Sequence, residues 1–230
     1  MEISNIKNWK SREAHELIEA ALTSSDNKSL SMYQRRIVST AIARVHHKTT
    51  IEELEKNPFV VFSFKEFAEA LGQNANRKTF VTKMLDESKN LRASTFVIKE
   101  DYVKDDGKKG IKTKIFGLID NINIDEDRME VHFNKEVIPY IASLRNIDKD
   151  GKPYGEYLLG SIYNLNSAYY KVIYKLCCKH LNMHQGKFTY SVDELRHILG
   201  LDETGKLQKW DHFKKRVLDG SKEAINSEAT

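Results

Sequence analysis

The chain repeats itself. Phe62-Ser-Phe-Lys-Glu-Phe-Ala-Glu-Ala-Leu-Gly72 lies over Tyr190-Ser-Val-Asp-Glu-Leu-Arg-His-Ile-Leu-Gly200, with Ser, Glu, Leu and Gly shared and every core position apolar in both. A repeat constrains architecture more than any single element does. In each copy a serine stands three residues before a glutamate, Ser63/Glu66 and Ser191/Glu194, which is the signature of a capping box. Gly72 and Gly200 then follow the last apolar residue as helix stops. The next helix repeats too: Phe80, Lys83, Met84, Leu85, Asp86, Ser88 and Lys89 lie over Phe213, Arg216, Val217, Leu218, Asp219, Ser221 and Lys222. The offset grows from 128 to 133, so the second copy has five extra residues in its turn, Asp202–Lys209.

Each repeated pair is preceded by a longer amphipathic stretch, residues 31–46 and 167–181. After the first copy the period changes to two. Residues 95–102 and 111–119 read as strands about a turn at 105–110, and residues 122–124 and 129–133 as a second hairpin. Helix, short capped helix, turn, helix and hairpin is the layout of a winged helix. The expected fold class is therefore α+β and predominantly helical: two tandem winged-helix domains, the second lacking its C-terminal wing. The segments 7–21 and 134–145 read as further helices, and 49–58 as a short helix or loop. Gly151, Pro153 and Gly155 mark 146–155 as the linker, so the expected division is 1–146 and 147–230. Two winged helices less one hairpin at residue 230 read as a truncated form.

Composition excludes several classes. Ten Phe, ten Tyr and two Trp in 230 residues are enough for a packed core, which argues against disorder. No apolar run approaches a membrane span, and MEISNIKNWKSRE is too polar for a signal peptide. The only cysteines, Cys177 and Cys178, are adjacent and offer no disulfide framework, as expected for a soluble protein of a reducing compartment. The net charge of +4 is modest but uneven. Residues 160–218 hold ten basic against five acidic groups, an excess that points to a polyanionic partner for the second copy.

At these residues the chain resembles the plasmid replication initiators of the Rep_3 type, from about Leu30 to the C-terminus. SVDELRHILGL, Trp210, Phe213 and RVLDGSKEAIN are similar to the family's S-x-x-E-L-R-x-x-L-G, W-x-x-F-K-x-x-V-L-D and E-I-N pattern. FSFKEFAEALG and VHFNKEVIPYIASL resemble parts of its first domain. The chain departs at Gly220-Ser221, where Pro-Ala is the commoner pair. The resemblance implies a bacterial cytoplasmic protein that binds double-stranded DNA, both the iterons of an origin and an inverted-repeat operator. It implies a second domain that reads the major groove, and a first that serves homodimerisation or DNA backbone contact. It also implies autorepression as a dimer, bending or destabilisation of AT-rich DNA, and recruitment of the host initiator and replicative helicase.

The residues can be read beside that. Trp210, Phe213 and Val217 are spaced to face the core, which leaves Lys214, Lys215, Arg216 and Lys222 outward, with Lys206 and Lys209 in the preceding turn. Lysine and arginine on a groove helix address guanine or phosphate. Ser191 and its helix-start amides are candidates for a phosphate oxygen. Arg77, Lys78 and Lys83 occupy the corresponding helix of the first copy and suit backbone contact. An ordinary solvated face explains these residues about as well from sequence alone, and the resemblance moves the reading to DNA. Lys108, Lys109, Lys112 and Lys114 either track a phosphate backbone or protect an exposed hairpin edge.

Enzymatic signatures are weak, and no catalytic residue, cofactor or metal is expected. Gly107–Thr113 fails the phosphate-loop spacing. His180 and His184 have no third ligand in a zinc spacing. Tyr170 and Tyr174 form the Y-x-x-x-Y pair of rolling-circle nickases, but the His-hydrophobic-His metal motif is missing, so packing between helices is the expected role. The alternatives kept open are a dimeric winged-helix transcriptional repressor and, further off, a Tyr-dependent nickase.

Overall fold

A computed structural model describes residues 6–23, 30–104, 107–125, 127–144, 153–181, 186–201 and 205–228. The helical repeat is present as expected. Long helices α2 (Met32–Arg44) and α7 (Ala168–His180) each span 13 residues, and short helices α4 (Phe64–Ala70) and α8 (Val192–Ile198) each span seven. Ser63 and Ser191 both accept a hydrogen bond from the amide three residues on, and at Ser191 the Glu194 carboxylate completes the box. Gly72 and Gly200 stop the short helices with φ of 66° and 69°, a backbone that a side chain disfavours.

The third helices carry the same burial pattern. In α5 (Lys78–Arg92) Phe80, Met84, Ser88 and Leu91 are buried. Their counterparts Phe213, Val217, Ser221 and Ala224 are buried along the last helix, in which α9 (Trp210–Phe213) passes through a π-helical turn (Lys214–Asp219) into α10 (Gly220–Glu228). Trp210 does not follow the pattern expected of it. It is 49% exposed, because the core position of that first turn is already filled by Phe213.

The first repeat closes with two antiparallel hairpins. Strands β4 (Thr95–Val103) and β5 (Lys109–Gly117) pair from Thr95 opposite Gly117 to Val103 opposite Lys109, and β2 (Ala21–Thr23) adds to β4. Strands β6 (Ile119–Ile124) and β7 (Arg128–Phe133) form the second hairpin, and β3 (Phe59–Ser63) completes its sheet in the order β3-β7-β6. Val60 and Phe62 of β3 point inward and its alternate residues outward, as a half-buried strand requires. A short helix α3 (Ile51–Lys56), boxed by Thr50 and Glu53, lies between α2 and β3.

Two expected helices are largely other structure. Within 7–21 only α1 (His15–Glu19) is helical, and β1 (Lys10–Ala14) pairs with β8 (Tyr154–Leu158), Lys10 opposite Leu158 and Ala14 opposite Tyr154. A distant partner overrides local helical spacing here. Residues Lys135–Tyr140 form a 3-10 turn, since Pro139 has no amide to donate to an α-helical ladder. Of the linker expected at 146–155, residues 146–152 and the division at 146/147 lie outside the described residues, while Tyr154 and Gly155 already belong to β8; residues 105 and 106 of the turn expected at 105–110 also lie outside.

Packing forms two cores. The larger gathers Ile6 to Ala142 and includes Leu159 and Tyr163, the latter two from helix α6 (Leu159–Asn164). The smaller joins Val172 and Leu176 of α7 to Ile198, Leu199, Phe213 and Val217, and takes in Ile18 from α1. Charge fastens the junction between them. Glu13 of β1 pairs with Lys175 at 2.7 Å and accepts from the Tyr157 hydroxyl, while Glu19 is bonded by Lys179 and Tyr190.

Candidate nucleic-acid interface

The last helix is an amphipathic rod whose inner side is fixed by Phe213, Val217, Ser221 and Ala224. That anchoring decides which side chains reach solvent: Lys214, Lys215, Arg216 and Lys222 are all exposed, with Lys209 at the N-cap of α9. The π-helical turn shapes this face. Each residue there advances through a smaller angle than in an α-helix, so Lys214, Lys215 and Arg216 fan over a narrower arc. Lys214 is held within the turn, its Nζ 3.1 and 2.8 Å from the two Asp219 oxygens. Lys206 belongs to a 3-10 turn (Lys206–Gln208), and its side chain lies outside what is described.

Arg196 of α8 holds the approach to this helix. It donates to Gln208 O at 2.7 Å and lies 5.3 Å over the Phe213 ring, while Gln208 Nε2 donates to Leu201 O at 2.7 Å. A residue counted as surface charge in the sequence is thus a brace for the turn before the last helix. Lys171, Lys175 and Lys179 are likewise turned inward. Four of the ten basic residues in 160–218 therefore serve the interior, whereas Lys187, Lys209, Lys214, Lys215 and Arg216 are exposed, four of these five on the last helix and at its N-cap. Sequence counting could not separate these classes, because it does not see which lysines face a carboxylate or carbonyl of another element.

The helix start that carries Ser191 is closed by its own capping box. The Ser191 Oγ accepts from Glu194 N at 3.1 Å, and its own amide donates to Glu194 Oε2 at 2.7 Å. A carboxylate already occupies the end of α8, so an incoming phosphate would meet a filled amide and a like charge. In the first repeat Arg77 stands at the N-cap position of α5 without a side-chain capping bond, and Arg77 and Lys78 are exposed beside each other. Lys83 is drawn toward α2, its Nζ 3.9 Å over the Tyr33 ring. On the long hairpin Lys109 and Lys112 are exposed, and Lys114 donates to the Tyr140 hydroxyl at 3.3 Å.

The tyrosine pair is set in packing. Tyr170 places its hydroxyl against Gly220, where an added Cβ would collide with that oxygen. Tyr174 meets the Tyr157 ring edge-on at 6.5 Å, and burial pushes its hydroxyl up to about 12, away from an activated nucleophile. Cys177 and Cys178 are free thiols raised by burial, Cys178 to about 11. Among the described residues no three His, Cys, Asp or Glu side chains gather as a metal site, and no helix is long and apolar enough to cross a membrane.

Two helix-turn-helix units with duplicated caps, stops and core positions, the first carrying its hairpins, define a tandem winged-helix protein. Residues 10–178 match the family model described as initiator replication protein, WH1, and residues 191–230 match that described as initiator Rep protein, WH2. The chain belongs to this Rep_3 family of replication initiators. Among solved structures, the crystal structure of Pi initiator protein in complex with iteron DNA is similar, with a TM-score of 0.66 at 22% identity. The likeness covers 96% of this chain and 87% of that one, and it is a likeness of fold. A comparison with curated protein sequences gives no match.

Proposed function

We propose that the chain is an origin-binding replication initiator that recognises repeated double-stranded DNA sites with its second module and has no catalytic step of its own. The observation that carries this is the last helix: a buried Phe213–Val217–Ser221–Ala224 side sets Lys215, Arg216 and Lys222 on the open side. A rod of this kind fits the major groove, with its cations on guanine edges or phosphates. That the Pi initiator was crystallised with iteron DNA supports iterons as the ligand class. Lys206, Lys209 and Lys214 extend this surface, while Arg77, Lys78 and Lys83 give the first module backbone contacts. The chain bends or opens adjacent AT-rich DNA and helps bring in the host initiator and replicative helicase.

The first module also makes a homodimer that represses from an operator. What supports this is β5, an edge strand of its sheet with Ile111 and Ile115 exposed at alternate positions.

Selection from random duplex DNA followed by footprinting tests the reading. Protection of several same-direction repeats is the expected outcome. A single protected palindrome would make the chain a repressor instead, and no selectable duplex would remove the DNA-binding reading.

A further inference from the structure

We infer that Trp210 is an apolar DNA contact, the part of the last helix that packs on a thymine methyl or a deoxyribose while its lysines neutralise phosphate. The inference rests on the reading of that helix as the DNA-facing one.

Trp210 is the first residue of α9, and the first turn of a groove helix is the part that reaches base edges. One side of its indole is supported by Phe213, with ring centroids 6.3 Å apart, and the residue is 49% exposed. The ring is therefore held in place from beneath and open outward. It stands one turn before Lys214, beside the N-cap Lys209, so the same side of the rod carries a flat apolar surface and ammonium groups. A partner that fits both must bring negative charge and an apolar patch together. Duplex DNA does so: thymine shows its methyl in the major groove, where apolar side chains recognise it, and the sugars line the path between phosphates. At the matching position of the first repeat stands Arg77, which is exposed and charged, so this apolar contact belongs to the second module alone.

The test uses the full chain and a duplex selected as above. Trp210→Ala weakens binding about tenfold, the effect of no longer burying part of the open side of the indole against DNA, and leaves the salt slope unchanged. Lys215→Ala lowers the slope. Replacing each thymine by deoxyuridine separates the two sources. A loss at one position for the wild type but not for Trp210→Ala identifies the methyl, and a flat scan with the tenfold loss retained identifies the sugar. Trp210→Phe, a milder change, keeps part of the affinity. In a Trp9→Phe background the emission of Trp210 shifts on adding duplex, a readout that needs no change at position 210.

Unchanged affinity in Trp210→Ala, or in its absence as a folded variant an unmoved emission, overturns the inference while Lys215→Ala still reports on DNA binding. If the wild type binds no duplex, the DNA reading falls and the inference with it.

Discussion

Lys175 Nζ of α7 lies 2.7 Å from Glu13 Oε1 of β1, with the Glu13 side chain 4% exposed and that of Lys175 15%. Burial lowers the lysine, and Glu13 opposes that shift. A buried pair of this kind is held by mutual need, since removing one partner strands the other. Glu13→Ala is expected to cost about 3–5 kcal/mol in chemical denaturation, and Glu13→Leu with Lys175→Met much less than that. Equal losses in the single and double variants would show that the pair does not carry the junction.

Lys171 gives the junction a pH dependence. Its Nζ donates to the carbonyls of Ile162 and Leu165 at the end of α6, and Arg36 donates to that of Tyr163, so an amine and a guanidinium cap carbonyls at the helix end. Burial, then the charges of Arg36, Arg35 and Lys175, lower Lys171 to about 6. The folded state thus binds fewer protons than the unfolded one between about pH 6 and the ordinary lysine value. This group therefore adds stability as pH rises through that window, and below it the full penalty of charging the buried amine remains. Lys171→Met is expected to gain on the wild type most near pH 6 and least near pH 10 in thermal unfolding. A difference in melting temperature that stays constant with pH would contradict this.

Ser88 and Ser221 occupy the same position of the two repeats, both are buried, and among the described residues neither hydroxyl has a hydrogen-bond partner. An unpaired buried hydroxyl is costly, and alanine is the better helix former. Ser221→Ala is expected to stabilise the chain by about 1 kcal/mol, with Ser88→Ala acting in the same direction. Urea denaturation measures both, and a loss in either would mean that its hydroxyl is paired in solution.

The parts of this molecule that are legible in the sequence are the local ones. Ser63, Ser191, Gly72 and Gly200 act within a few residues of themselves, so the repeat and its helix ends follow from pattern alone. Pairings between distant segments leave no local trace. Nothing in Lys10–Ala14 announces a partner strand at Tyr154–Leu158, and Leu17 and Ile18 supply helical spacing that only α1 realises. Charge misleads for the same reason. Lys171, Lys175, Lys179 and Arg196 count as surface cations until carbonyls, carboxylates and a ring from other segments are placed beside them. The spacing of Trp210 points to the core, but spacing cannot tell that Phe213 already fills the place.

The central claim is that the last helix turns Lys215 and Arg216 toward DNA. The salt dependence of duplex binding tests it most directly, because each phosphate that a side chain neutralises adds close to one unit to the slope of log K against log salt. Lys215→Ala and Arg216→Ala are each expected to bind more weakly and to lower that slope by about one unit, or by less where the side chain addresses a base instead. Wild-type slope and affinity in both variants would contradict the assignment of this face.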